Sequence, residues 1–415
     1  MIELGLGRIS RLLKDTHLPW RAIHVAGTNG KGSVCSYASA MLRAGNIRCG
    51  RFTSPHLIDR WDCITIDEKV IDQRLFQDVE SIIKSRDDHD DIQASEFELL
   101  TATAFEVFTR EKVEVGVVEV GLGGRFDATN VLENPLVTVI TKIGKDHQSI
   151  LGNSLEEIAY QKAGIMKQSA SCIADGSNVG SVIEVLAEYA KVAQVADFHL
   201  VSPKDQLKDD DLKSYLNDHE LEVHQQINLS LAYEAVKIAI ASLRPSMQSR
   251  PLLSAVPNAS WPGRLQTLDL LPLLGQTREV LLDGAHNGQS AQILGSYVDR
   301  KLRQSGSPVT WIIAVSQGKD IHEILSYLLK PGDNLMAAIF GPVEGMPWVH
   351  PTPKEVIQTA ASAIGGVKNV STGTESLKDI LCEAVAAAAG APVVICGSLY
   401  LVSDLLRLVR DAQQF

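Results

Sequence analysis

Along nearly all of the 415 residues, apolar runs of strand length alternate with segments whose apolar residues recur at helical spacing. This alternation restricts the fold more than any other feature, because it is the signature of a parallel α/β architecture. Strands are predicted at Ala22 to Ala26, Val113 to Val120, Val137 to Thr141, Glu279 to Asp283, Thr310 to Val315 and Val393 to Cys396. Helices are predicted between them, at Ser33 to Ala44, Phe97 to Thr109, Leu155 to Met166, Asn228 to Leu243 and Leu377 to Ala389. The length calls for two or three domains at about 150 residues each. Pro and Gly punctuate the chain at Trp261-Pro262-Gly263-Arg264, after which a fresh strand begins, so domains are expected at 1–262 and 263–415.

Charge and composition narrow the function classes. Lys and Arg number 39 against 50 Asp and Glu, so the formal charge is 39 − 50 = −11. With 45% apolar and 21% charged residues, the chain reads as an ordinary globular protein, neither disordered nor a non-specific nucleic-acid binder. A negative total does not exclude anionic ligands, since Lys, Mg²⁺ and backbone N–H groups can bind phosphate locally. Six cysteines (Cys35, Cys49, Cys63, Cys172, Cys382, Cys396) form no C-x-x-C pair and are read as reduced core thiols. The start, with Glu3 and a helical rhythm of Ile2, Leu6, Ile9 and Leu13, lacks the apolar core of a signal peptide. A cytoplasmic location is expected, with Arg8, Arg11 and Lys14 leaving mitochondrial import as the alternative. The longest uncharged run, Ala384 to Ser403, is broken by Gly390, Pro392, Gly397 and Ser398 into a helix end, a buried strand and a new helix, so no membrane span is expected. The acidic stretches Arg86 to Asp91 and Lys208 to Asp211 are expected to be solvated loops.

The strongest local signal is Gly27-Thr28-Asn29-Gly30-Lys31-Gly32-Ser33, a Gly-rich turn between a strand and a helix. Glycines let backbone N–H groups curl around phosphate oxygens, Lys31 would neutralise the terminal phosphates, and Ser33 stands where a hydroxyl can ligate Mg²⁺. The common pattern G-x-x-x-x-G-K-[ST] is not met, because Gly32 separates Lys31 from Ser33. A second strand delivers Glu119 near its carboxyl end, and a third is followed by Asp146-His147. Ligands of open α/β sheets collect outside the carboxyl ends of strands, so these groups form a candidate metal edge.

In this order the motifs resemble the folylpolyglutamate synthase and dihydrofolate synthase branch of the Mur ligase family. The matching residues are Gly27 to Ser33, Ser54-Pro55-His56-Leu57, Gly121 to Gly124 with Asp127-Ala128-Thr129-Asn130, Asp146-His147 with Leu151-Gly152, Lys162-Ala163-Gly164-Ile165, Pro262-Gly263-Arg264 and Asp283-Gly284-Ala285-His286-Asn287. The family's phosphate loop carries the same extra glycine. The opening Ile2 to Leu6, the run Glu96 to Thr101, and Glu344-Gly345-Met346-Pro347-Trp348 with His350 are similar to fungal members that act on dihydropteroate.

The resemblance implies a P-loop-containing Mur ligase-like N-terminal domain with a parallel-rich sheet, and a smaller Rossmann-like C-terminal α/β domain carrying the glutamate ligase half. The implied reaction is ATP-dependent: a dihydropteroate carboxylate takes the γ-phosphate, and the amine of L-glutamate displaces phosphate to form an amide. Lys31, Glu119, His147 and Lys162 would serve the chemistry. Gly27, Thr28, Asn29, Gly30, Lys31, Gly32, Ser33, Asn228, Arg264, Asp283 and His286 would contact ATP. Two Mg²⁺ sites would draw on Ser33, Ser54, Glu119 and His147, with Lys162 carbamylated or, in the plainer reading, an unmodified lysine on an exposed helix face. Ser95, Glu96, Phe97 and Glu98 match the pterin-contacting stretch. A monomer using small-molecule substrates, without nucleic acid or membrane, is expected. Alternatives are a relative that adds glutamate to tetrahydrofolate, alone or as a second activity, a cell-wall Mur ligase, and a nucleotide-binding regulator that has lost chemistry.

Overall fold

The computed structural model describes residues 4–202, 209–244, 252–258, 262–303, 306–370 and 376–413. Ile2, Glu3, Lys208 and Trp261, used in the sequence reading, lie outside them. The chain divides into two compact units, Met1–Trp261 and Pro262–Phe415.

The first unit is built on an eight-stranded sheet of β1 (Arg21–Ala26), β2 (Cys49–Phe52), β3 (Ile64–Ile66), β4 (Lys69–Val70), β5 (Val115–Glu119), β6 (Val137–Ile140), β7 (Ser171–Asp175) and β8 (Phe198–Val201). Their order is β4-β3-β2-β5-β1-β6-β7-β8. From β2 to β8 every pairing is parallel, while β3 and β4 add an antiparallel margin. Val25 of β1 pairs with Glu119 of β5, and Ala26 pairs with Ile140 of β6, which brings the carboxyl ends of the three central strands to one edge.

Alternation along each strand splits the apolar side chains between the two faces. Ile23, Val25, Val137, Val139 and Ile173 pack with the helices Lys31–Ala44 and Val223–Leu243. On the opposite face, Ala22, Phe52 and Val118 meet the helices Gln73–His89 and Glu96–Arg110, and Ala26, Ile140, Cys172 and Ala174 meet Leu155–Ala163 and Gly180–Val192.

The second unit holds a six-stranded sheet of β9 (Gln266–Asp269), β10 (Glu279–Leu282), β11 (Thr310–Ile313), β12 (Asn334–Ala337), β13 (Lys368–Asn369) and β14 (Val393–Cys396), in the order β13-β12-β11-β14-β10-β9. Only β9 is antiparallel to its neighbour. The Ala384 to Ser403 run resolves into a helix ending at Ala388, strand β14, and a helix from Leu399. Among the described residues, no helix is long and apolar enough to cross a membrane.

Three expectations are corrected. Arg86 to His89 form the last turn of the helix Gln73–His89, because Phe76, Val79 and Ile83 carry a buried stripe that keeps the helix going. Its charges are used: the Arg86 guanidinium donates to Leu12 O, and Lys14 pairs with Asp90 at 2.5 Å. Asp210 and Asp211 open the helix Asp210–Asp218 behind the cap Asp209, which accepts from Leu212 N; carboxylates at this end complement the helix dipole. Cys382 is exposed on the outer face of Leu377–Ala388, whereas the other five thiols are buried as expected.

Candidate active site

The phosphate loop leaves the carboxyl end of β1 and enters the helix Lys31–Ala44 with Gly30 as its cap at φ 97°. Two of its glycines are fixed by close approach. A Cβ at Gly27 would stand 1.8 Å from Thr141 Oγ1, and one at Gly30 would stand 2.4 Å from Asn228 Oδ1. Asn228 thus lies against the turn. Thr28 N and Asn29 N both donate to Lys142 O, at 2.9 and 3.1 Å, and Thr28 Oγ1 bonds to Gly144 in the segment that follows β6. Those two backbone donors anchor the loop. The first-turn N–H groups of Lys31, Gly32 and Ser33 have no intrahelical acceptor and remain for an anion.

Lys31 Nζ lies 3.3 Å from Thr28 O and 3.7 Å from Glu119 Oε1. The second distance exceeds a direct hydrogen bond, so ammonium and carboxylate face each other across a gap. Glu119 is 5% exposed. Ser54 follows β2 and His147 follows β6, so both stand at the same sheet edge as Glu119. His147 caps a short helix from the left-handed region, at φ 51°, with its ring half exposed and 3.9 Å from Asp146.

Lys162 departs from the plainer sequence reading. It is 4% exposed, not on an open helix face, and its Nζ donates to Gly27 O at 2.7 Å. Burial, followed by the charge of Lys31, lowers its pKa to about 7, against partial compensation from Asp146 and Asp127.

Ser95 and Glu98 form a capping box at the start of Glu96–Arg110. Glu98 Oε2 accepts from Ser95 N and Ser95 Oγ, each at 2.7 Å, and from Arg8 Nε at 2.9 Å. Glu96 pairs with Arg60 at 3.1 Å. Phe97 stacks on Phe52 with centroids 6.1 Å apart, and a Cβ at Gly121 would come within 2.4 Å of its ring. This stretch therefore supplies one aromatic wall beside the loop after β5, while its carboxylates are tied to arginines.

In the second unit, Asp283 directly follows β10 and accepts from Leu265 N and Ala285 N, both at 2.8 Å. Burial raises its pKa, opposed first by Arg264. Arg264 Nη1 donates to Gly263 O, and His286 Nδ1 lies 2.8 Å from Gly284 O. Asn287, which the sequence reading gave no role, caps the helix Gly288–Lys301 by accepting from Ser290 N. Thr141 and Lys142 were also missed, since only the folded loop brings them to Gly27 and Thr28.

The residues suit a nucleotide and a hard cation. Among the described residues, Thr141 Oγ1 is buried without a hydrogen-bond partner beside Gly27, and the first-turn N–H groups have no intrahelical acceptor. Hydroxyl and carboxylate oxygens with few protein contacts fit Mg²⁺, which keeps water and phosphate ligands. Among the described residues, no group of three or more His, Cys, Asp or Glu is placed to hold a metal by itself.

The loop, the edge carboxylate and the two sheets define the class. Residues 25–241 match the Mur ligase middle domain and residues 266–408 match the dihydrofolate synthetase C-terminal domain, so the chain belongs to the Mur ligase family. Its relatives include the probable dihydrofolate synthetase of Schizosaccharomyces pombe, 37% identical with 99% of each chain covered. The dihydrofolate synthetase of Saccharomyces cerevisiae is 36% identical with 98% of each covered. Among solved structures, Mycobacterium tuberculosis folylpolyglutamate synthase complexed with ADP and AMPPCP aligns with a TM-score of 0.79 at 26% identity, covering 98% of this chain and 95% of that one.

Proposed function

We propose that this protein is an ATP-dependent ligase that joins L-glutamate to 7,8-dihydropteroate, forming 7,8-dihydrofolate. The observation that carries the reading is the facing of Lys31 and Glu119 across 3.7 Å, beside a glycine turn whose first-turn N–H groups are open to phosphate. Similarity to two fungal dihydrofolate synthetases over almost the whole chain supports the choice of acid substrate.

In this mechanism, N–H groups from Lys31 to Ser33 hold ATP phosphates, and Lys31 balances charge on the phosphoryl group as it moves to the dihydropteroate carboxylate. That is electrostatic preorganisation, with no covalent enzyme intermediate. Mg²⁺, when bound, would neutralise phosphate charge. Ser33, Ser54 and Glu119 would hold a first ion, and Glu119 with His147 a second. Carbamylation of Lys162 would convert a buried cation into an anion beside them. The glutamate amine then displaces phosphate from the acyl phosphate. Phe97 offers a planar apolar wall to the pterin, with Ser95, Glu96 and Glu98 shaping the helix start behind it. Asn228, Arg264, Asp283 and His286 are assigned to ATP by family resemblance. The units are assigned as ATP-binding for the first and glutamate-ligating for the second, in a monomer located in the cytoplasm.

Isotope transfer tests the chemistry. Dihydropteroate labelled in its carboxylate oxygens should pass one labelled oxygen to inorganic phosphate in each turnover. Amide formation without that transfer contradicts the acyl phosphate route.

A further inference from the structure

His24 lies within β1, two residues before the strand ends, and is fully buried. It projects to the same face as Ala22 and Ala26, which belong to two different apolar clusters, so a polar ring sits at the seam between them. Its Nε2 is 2.9 Å from Thr129 Oγ1, and Thr129 Oγ1 is 2.5 Å from Asp127 Oδ1. Asp127 also accepts from Thr129 N at 3.0 Å and Leu122 N at 2.7 Å. A hydroxyl has one proton, and the carboxylate takes it. Thr129 must therefore accept from a protonated Nε2, leaving His24 Nδ1 with no partner among the described residues. Burial lowers the imidazole pKa to about 3, so the ring is a neutral, fixed donor under ordinary conditions.

An orphaned nitrogen in an apolar seam is a cost that packing alone does not explain. What it secures is a link between two functional segments. β1 leads into the phosphate loop, and the Gly121 to Asn130 loop follows Glu119 and touches the Phe97 ring. We propose that His24 is a positioning residue whose Nε2–H, acting through Thr129 and Asp127, clamps the Gly121 to Asn130 loop to the phosphate-loop strand and so fixes the Phe97 wall of the acid-substrate site. The substrate part of this statement rests on the function proposed above.

The test pairs two substitutions at His24. His24→Gln carries a donor to the reach of Nε2, whereas His24→Asn falls short of Thr129. His24→Asn should raise the KM for dihydropteroate about tenfold and leave ADP affinity within about threefold, the loss expected for one buried hydrogen bond. It should also speed amide exchange at Leu122 and Thr129 by about tenfold, but not at Thr28, as expected for local opening. His24→Gln should restore the KM and the exchange rates. If His24→Asn does not fold, Thr129→Val, which removes the acceptor, is read in the same way, with Thr129→Ser as its conservative partner. Unchanged KM and exchange in His24→Asn (or in Thr129→Val where it stands in), or equal damage in the conservative partner, would overturn the clamp. If the parent enzyme does not ligate glutamate, the functional reading falls, and amide exchange still decides whether the clamp exists.

Discussion

Lys162 shows how much chemistry a single burial can create. With its ammonium withdrawn from water and Lys31 nearby, its pKa falls to about 7, so the neutral amine prevails at slightly alkaline pH. A neutral amine is the form that reacts with carbon dioxide. Carbon-labelled bicarbonate should therefore give a carbamate signal from the enzyme at pH 8 that is strongly reduced at pH 6 and absent in Lys162→Arg. The same shift sets a stability trend. Between about pH 7 and pH 10 the unfolded chain binds a proton at Lys162 that the unmodified folded chain has released, so stability rises with pH through that window. Lys162→Met should flatten this part of the pH–stability curve in denaturant titrations. Lys31 is a different case: its ammonium faces Glu119 at the site edge, and the apolar clusters beneath do not depend on it. Lys31→Ala should lower kcat by about a hundredfold to a thousandfold, the scale of losing one preorganised charge-stabilising donor, with the melting temperature nearly unchanged. A folded variant with normal kcat would remove Lys31 from the mechanism.

At the scale of elements, the phosphate loop and the helix starts decide what is available to a ligand. Gly27→Ala would place a Cβ 1.8 Å from Thr141 Oγ1, so the turn must shift. ADP binding by calorimetry should weaken about tenfold or more, because misplaced donors lose much of their hydrogen-bond energy. Ser95→Ala removes half of a capping box and should cost about 1 kcal/mol in urea unfolding. The turn between β1 and the helix Lys31–Ala44 was legible in the sequence because its signals are local: a strand, glycines, a lysine and a helix start. β14 was legible for the same reason, with Gly390 and Pro392 before it and Gly397 after it. Of the partners of Glu98, the capping box with Ser95 follows from local spacing, but the pairing with Arg8 was not legible, because Arg8 is distant in sequence and only folding brings them together. Nor could the occupation of Thr28 N and Asn29 N be read, since both depend on how β6 ends beside β1. The acidic stretches misled for a physical reason: charge marks solvent exposure, but a helix end is as exposed as a loop; the dipole welcomes Asp210 and Asp211 at a helix start, whereas Asp87 and Asp88 sit at a helix end that the buried stripe of Phe76, Val79 and Ile83 carries through.

For the whole molecule, two separate sheets and a net charge of −11 frame a ligase for anionic substrates. The charge balance is no obstacle, because the donors of one loop and one lysine outweigh distant screened carboxylates. The family was legible at this scale because its motifs are spread from Gly27 to Asn287, and chance matches in that order are rarer than any single loop. The acid substrate was read from fewer residues, and it is the claim on which the functional account depends. The most direct test is glutamate-dependent ADP release by the purified protein with Mg²⁺ and ATP, comparing 7,8-dihydropteroate with tetrahydrofolate. The account predicts turnover with dihydropteroate and none above background with tetrahydrofolate. Robust turnover with tetrahydrofolate, whether or not dihydropteroate is also used, or turnover with neither acid in protein that still binds ADP, would contradict it.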